Sequence, residues 1–149
     1  MTGKYTLPKK ERLYSKKLIE QLFLDRSGVK KEWPVKVVYQ LVDREKESEP
    51  QLLFMVSVSK RHFKRAVKRN LVKRQVREAY RMNKEALTEV MALFPNKKLM
   101  VAFIWMQNKV YTTEDVKEAV ARVMSRIAKA IELLANKEDD VETSNQSAS

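Results

Sequence analysis

The stretch SVSKRHFKRAVKRNLVKRQVREAYR, residues 57–81, decides the fold of this 149-residue chain. From Lys60 to Arg81 it holds ten lysines or arginines and a single acid, Glu78. Apolar residues recur within it at spacings of three and four, which predicts a helix with one buried stripe. That stripe comprises Val67, Leu71, Val72, Val76, Ala79 and Tyr80.

A folded helix that carries a row of cations opposite its buried stripe is suited to binding a polyanion. Solvated helix faces usually mix both signs, whereas this one is almost purely basic. The whole chain agrees, with a formal net charge of +12 and a pI of about 9.9. Helices that bind membranes carry bulky apolar residues opposite the charge, and Val, Ala and Gln stand there instead. We therefore expect a nucleic acid as the partner, and no membrane.

The composition excludes several kinds of chemistry. Cysteine is absent, so no disulfide framework, thiol nucleophile or cysteine-based metal site is expected. The N-terminus lacks the apolar core of a signal peptide, and no apolar run reaches membrane-spanning length. These features predict a cytoplasmic protein of one ordinary domain.

The pattern of the chain predicts three regions. Residues 1–14 form a basic extended N-terminal segment, residues 15–135 form a single α+β domain, and residues 136–149 form a disordered acidic and polar tail. Within the domain the predicted elements are, in order, a helix capped by Ser15, a loop over 25–34, strands over 35–42 and 51–59, the basic helix over 66–83, a helical piece over 84–93, an apolar strand over 99–106 and a last helix opened by Thr112 or Thr113.

The order helix-strand-strand-helix-strand-helix is typical of an α+β fold, a single-domain α-β sandwich in which helices cover one face of a small sheet. The basic helix could be a crossover between two parallel strands. The pattern alone gives neither the strand order nor the hand of that crossover. Trp33 and Trp105 are expected to anchor packing rather than to stack on bases.

No catalytic site and no metal site are predicted. His62 is the single histidine and lies within the basic stretch, without a serine-acid arrangement around it. The chain has two glycines, Gly3 and Gly28, so it cannot form a glycine-rich phosphate loop. Any enzymatic reaction would therefore use reactive groups that belong to another molecule. Two binding functions stay open: a ribosomal-type protein that binds structured RNA without processing it, and a DNA-binding module, although no helix-turn-helix pair is evident.

The basic stretch resembles the signature of the bacterial ribonuclease P protein component, a family in which a strand ending in V-S-K leads into A-V-x-R-N-x-x-K-R-x-x-R-E on a helix. The residues that carry the resemblance are Ser57, Val58, Ser59, Lys60, Ala66, Val67, Arg69, Asn70, Lys73, Arg74, Arg77 and Glu78. The resemblance extends over about residues 8–135. Two departures stand out: the turn over 61–65 has no glycine and is one residue longer, and Ile19 replaces the usual aromatic residue.

The resemblance implies a function and a topology. The family's fold is an α-β sandwich with a left-handed βαβ crossover, and its members act as monomers within a ribonucleoprotein. They pair with a catalytic RNA that removes the 5′ leader of precursor tRNA, an endonucleolytic hydrolysis, with Mg²⁺ held by the RNA and its substrate. DNA is not an expected partner.

The resemblance also assigns roles to residues. The side chains expected to bind the catalytic RNA are Lys60, Lys64, Arg65, Lys68, Arg69, Asn70, Lys73, Arg74, Arg77 and Arg81. The single-stranded leader is expected in a cleft between the first helix and the sheet. The side chains expected to line that cleft are Lys17, Ile19, Phe23, Val37 and Tyr39. A plain core position is an equal alternative for Phe23 and Val37, and Tyr39 fits either role.

Overall fold

The protein is a four-stranded sheet with helices on both faces. The computed structural model describes the backbone of residues 9–148 and the side chains of residues 9–136. The elements are, in chain order, a 3-10 turn (Lys9–Glu11), α1 (Lys16–Leu24), β1 (Gly28–Glu32), β2 (Val35–Asp43), β3 (Leu52–Ser57), α2 (Ala66–Asn83), α3 (Glu85–Met91), β4 (Lys97–Trp105) and α4 (Thr113–Ala148).

The sheet has the strand order β1-β2-β4-β3. The pairs β1–β2 and β2–β4 are antiparallel, whereas β3 and β4 are parallel neighbours. Because α2 and α3 join those two parallel strands, they form the predicted crossover, and the predicted α+β class is confirmed. The left hand of the crossover stays a prediction from the family resemblance.

The loop predicted over 25–34 is wrong, since β1 occupies half of it. Glycine, lysine and glutamate are poor strand formers, so the composition GVKKE does not predict a strand. This edge strand forms because it pairs with β2. Gly28 lies opposite Tyr39 in that pairing. A Cβ atom on Gly28 would lie 2.5 Å from the Tyr39 hydroxyl, so glycine leaves the space that the tyrosine ring fills.

Both faces of the sheet are covered, which corrects the prediction of helices on one face. The larger core lies between the sheet and α2, α3 and α4, and we call this side the α2–α4 face. The opposite side, the α1 face, packs against α1 through a smaller core. The fully buried Leu22 belongs to this second core, and the predicted cap of α1 is confirmed because the Ser15 hydroxyl accepts a hydrogen bond from the Leu18 amide.

Aromatic rings organise the α2–α4 face. The Phe54 ring stacks on the Tyr80 ring with centroids 4.2 Å apart, and Phe103 packs against the edge of Tyr80 at 6.0 Å. Trp105 is buried and meets Tyr111 edge-on, which confirms the packing role predicted for this tryptophan. These contacts fix α2 and the loop that precedes α4 on one side of the sheet.

The two chain ends differ from their predictions. The predicted extended segment over 1–14 includes the 3-10 turn at Lys9–Glu11, and residues 1–8 lie outside the described residues. Helix α4 continues to Ala148 instead of giving way to a disordered tail over 136–149, and Ser149 lies outside the described residues. No proline or glycine follows Pro95, so no helix-breaking residue interrupts α4.

Candidate nucleic-acid interface

Helix α2 has a buried apolar stripe on one side and cationic residues on the other. Val72, Val76, Ala79 and Tyr80 are buried, as predicted from their spacing. Val67 was expected in the same stripe but is 78% exposed. It lies in the first turn of α2, where the buried apolar residue is instead Phe63 from the preceding turn.

The side chains predicted to bind RNA all lie at the surface. Those that are exposed are Lys60, Lys64, Arg65, Lys68, Asn70 and Arg74, and those that are half-buried are Arg69, Lys73, Arg77 and Arg81. Among the described residues, Arg81 is the one member of this set that forms an ion pair, with Glu78. The side of α2 away from the core therefore carries a field of positive charge that, Arg81 apart, no ion pair among the described residues neutralises. We call this set the α2 cationic surface.

Arg69 differs from its neighbours because its guanidinium is used within the protein. It donates hydrogen bonds of 2.8 Å to the carbonyl oxygens of Phe63 and Lys64. Arg65, the N-cap residue of α2, makes no capping hydrogen bond through its side chain. Arg69 thus ties the start of α2 to the turn that precedes it.

The longer turn over 61–65 closes without glycine. The Ser59 carbonyl accepts a hydrogen bond from the His62 amide at 3.0 Å, and the Ser59 hydroxyl accepts one from the Arg61 amide at 3.1 Å. No described residue has a positive φ, so the turn needs no glycine. His62 Nδ1 lies 2.5 Å from Asn108 Oδ1, which links the turn to the loop before α4.

Four arginines line one shallow pocket of about 230 Å³ beside α2, with Glu78 as its acidic member: Arg12, Arg74, Arg77 and Arg81. Arg12 comes from the N-terminal segment, where it forms a parallel bridge with Phe54 of β3. The Leu13 amide donates a 2.7 Å hydrogen bond to the Phe54 carbonyl, and Lys84 pairs with Glu11 at 3.2 Å. Such a pocket favours an oxyanion such as a phosphate.

Sequence reasoning missed Arg12 as a site residue. Its position depends on pairing with β3, which lies more than one element away along the chain. No local periodicity reports such a long-range contact.

The five residues predicted to line one cleft do not come together. Ile19 and Phe23 pack on the α1 face, whereas Val37 and Tyr39 are buried in the core of the α2–α4 face. Burial also raises the pKa of the Tyr39 hydroxyl, as expected for a ring enclosed by the core. Lys17 is exposed, and two residues along a helix place it about 200° from Ile19. Only Ile19 and Phe23 therefore meet the predicted position.

The strand residues that face α1 are those one position away from Val37 and Tyr39. Side chains alternate along a strand, so a shift by one residue moves the whole set to the other face. The residues of this face, read from the core contacts and the strand register, are Val29, Lys31, Lys36, Val38, Gln40, Val42, Leu53, Met55, Ser57, Lys98, Met100, Ala102 and Ile104. Several of them are only partly buried, including Met55 and Ile104, so α1 leaves part of this apolar surface open.

Within the part of the chain that the structure describes, no three histidine, cysteine or acidic side chains lie close enough to hold a metal ion. No described helix is long and apolar enough to cross a membrane.

Comparison with known proteins gives one consistent family. The model of the family Ribonuclease P matches residues 7–128. The ribonuclease P protein component of Porphyromonas gingivalis is 36% identical over 126 residues, which cover 83% of this chain and 88% of that protein. The ribonuclease P protein component of Chlorobium phaeobacteroides is 39% identical over 83 residues, covering 55% of this chain and 56% of its own length.

A solved structure shares the fold. The RNase P protein of Staphylococcus aureus superposes with a TM-score of 0.55 at 19% identity, covering 80% of this chain and 95% of that one. At 19% identity this similarity supports the fold alone. The family is shown by the match over residues 7–128. The chain belongs to the ribonuclease P protein family.

Proposed function

We propose that this chain is the protein subunit of a ribonuclease P holoenzyme that removes the 5′ leader of precursor tRNA. The observation that carries the proposal is the α2 cationic surface in a chain of this family. The subunit would act with a catalytic RNA in the cytoplasm. A ribosomal-type RNA-binding role would use the same charge, but the relatives described above are ribonuclease P proteins.

The α2 cationic surface would bind the catalytic RNA. Arginine forks can grip two phosphate oxygens at once, and the pocket formed with Arg12 offers several such forks together. Phosphate contacts of this kind position a protein on an RNA without reading its sequence. Arg69 would contribute mainly by holding the helix start, since its guanidinium already has two acceptors.

The single-stranded leader would lie on the open part of the α1 face. Ile19 and Phe23 of α1 form one wall, and the partly buried Met55 and Ile104 form part of the floor. An apolar floor beside a cationic helix suits single-stranded RNA, because stacking tolerates any base while cations hold the backbone. This placement replaces Val37 and Tyr39, which lie on the other side of the sheet.

The RNA would supply the catalytic centre and hold the Mg²⁺ ions that the hydrolysis needs. The protein would contribute affinity, chiefly for the precursor over the mature tRNA. Its described residues offer cations and apolar surface, which fit a binding subunit.

Reconstitution tests the proposal. The protein is mixed with the matching catalytic RNA and a precursor tRNA at low Mg²⁺, where charge neutralisation by protein matters most. We expect the protein to accelerate leader removal. A matched variant, Arg74→Glu with Arg77→Glu, should lose this effect, while Lys117→Glu with Lys129→Glu on α4 should keep it. If the purified protein instead carries ribosomal RNA and leaves cleavage unchanged, the ribosomal alternative holds.

A further inference from the structure

The hairpin that joins β1 and β2 presents a tryptophan to solvent, against the expectation of a packing role. Trp33 is 57% exposed at the tip of this hairpin, whereas Trp105 is buried. Single exposed apolar residues are common and carry no function by themselves. The charged residues around Trp33 indicate a binding site.

Lys31 and Lys36 are register partners on adjacent antiparallel strands, and the Glu32–Val35 pair separates them from the tip. Like charges placed directly opposite each other destabilise a sheet. Neither lysine forms an ion pair among the described residues, which include the nearby Glu32. The pair is therefore a concentrated positive charge that an external anion would relieve.

The acid nearest in sequence points elsewhere. Glu32 pairs with Arg122 at 2.9 Å and with Arg126 at 3.3 Å, both on α4. Arg126 also donates a 2.7 Å hydrogen bond to the Lys31 carbonyl, and the Met106 amide donates one of 2.9 Å to the Pro34 carbonyl. These contacts tether the tip at both sides, so Trp33 is exposed on a fixed support.

The lysine pair is continuous with the open α1 face. Lys36 pairs with Ile104 of β4, and Ile104 pairs with Ser57 of β3, so one row crosses all four strands. Strands lie about 4.8 Å apart, which makes the row roughly 14 Å long. At one end of the row, Ser57 is the last residue of β3 before the basic turn that contains Lys60. At the other end, Lys31 lies two residues before Trp33.

We propose that the β1–β2 hairpin tip is an outer binding site for the single-stranded 5′ leader, in which Trp33 stacks on a base and Lys31 and Lys36 bind phosphates. The inference rests on the proposed function, because it extends the leader groove on the α1 face. A single-stranded nucleic acid fits best among polyanions, because it alone offers both an unpaired base for the indole and phosphates for the lysines.

The test uses the reconstituted holoenzyme and precursor tRNAs whose leaders are lengthened one nucleotide at a time. For wild-type protein, affinity should rise again when the leader becomes long enough to reach the tip. Trp33→Ala should lower affinity about tenfold for those long leaders, the scale of one stacked base, and leave short leaders unaffected. Trp33→Phe should restore most of the loss because it keeps an aromatic face.

The lysines have a separate readout. Lys31→Ala with Lys36→Ala should reduce the salt dependence of long-leader binding by roughly 0.7 per lysine in log–log slope. Lys129→Ala, an exposed lysine on α4 without an ion pair among the described residues, is the matched control and should not change it.

Fluorescence reports the stacking directly, because the chain has two tryptophans and Trp105 is buried. Long leaders should quench the holoenzyme emission and short ones should not, and Trp33→Phe should abolish the difference. Equal effects of Trp33→Ala at every leader length would overturn the proposal, as would an emission that responds to anionic lipid vesicles but not to long leaders. Failure of the proposed function would look different, since wild-type protein would then not stimulate cleavage with any leader.

Discussion

The guanidinium of Arg69 donates a 2.8 Å hydrogen bond to the carbonyl oxygen of Phe63, so a residue of the cationic helix also holds the turn that leads into it. Phe63 is itself buried in the core of the α2–α4 face. The direction in which α2 leaves the sheet is therefore coupled to one of its cations. Arg69 would thus serve both folding and the proposed RNA binding, whereas Arg74, which is exposed and free of ion pairs among the described residues, would serve RNA binding alone.

Arg69→Ala should lower the free energy of unfolding by about 1–2 kcal/mol, because two backbone carbonyls lose a charged donor. Arg74→Ala should leave stability within about 0.5 kcal/mol, as is usual for a surface substitution. Both should weaken binding to the catalytic RNA. Denaturant unfolding of the free protein and titration of the RNA measure the two effects. Equal stabilities of the variants would contradict the role of Arg69 in tying the start of α2 to the preceding turn.

Binding to the catalytic RNA should depend steeply on salt. If four to six cations of the α2 cationic surface contact phosphates, the slope of log affinity against log salt should be about −3 to −5, at roughly 0.7–0.9 per contact. Filter binding over a range of KCl concentrations gives this slope. A slope near zero would mean that the cations of α2 are merely solvated.

Tyr80 should make the protein sensitive to alkali. Burial, aided by the negative charge of Glu11, raises the pKa of the Tyr80 hydroxyl above its ordinary value of about 10. Above pH 10 the unfolded chain releases this proton while the folded protein keeps it, so stability falls as the pH rises. Each such tyrosine contributes at most about 1.4 kcal/mol per pH unit.

The matched variant is Tyr80→Phe, which keeps the ring stacked on Phe54 and removes the titrating group. Its unfolding free energy should fall less steeply between pH 10 and 12, by about one proton in the slope. Chemical denaturation at several pH values measures this difference. Parallel curves for both proteins would show that Tyr80 titrates alike in the folded and unfolded chains.

The parts of the fold that follow from local pattern could be predicted. The bounds of α2 match the prediction over 66–83, because one helix face is apolar and the other is charged. The strand β1 could not be predicted, because its residues form a strand only when β2 supplies the hydrogen-bond partners.

The prediction that Val37 and Tyr39 face α1 was wrong for a different reason. Strand β2 has apolar residues on both faces, since Val37 lies in one core and Val38 in the other. A strand buried on both sides lacks the alternation that tells which residues face a given helix. The position of α1 decides the question, and it is a tertiary contact.

Because Met55 of β3 lies on the α1 face, its substitution tests where the leader binds. Met55→Glu would place a carboxylate on the partly open floor of the α1 face, where it should repel a bound leader. Affinity of the holoenzyme for precursor tRNA should fall by about 1–2 kcal/mol, whereas affinity for mature tRNA, which has no leader, should stay unchanged. Both affinities are measured at saturating protein so that assembly with the catalytic RNA does not limit.

Tyr39→Ala is the contrasting variant. Because the ring is buried on the opposite face and packs over Gly28, its removal should lower the free energy of unfolding by about 3–5 kcal/mol. Any loss of tRNA binding should then follow the unfolded fraction and affect precursor and mature tRNA alike. A stable Tyr39→Ala protein with a selective loss for the precursor would place the leader on the α2–α4 face, and Met55→Glu should in that case have no effect on either tRNA.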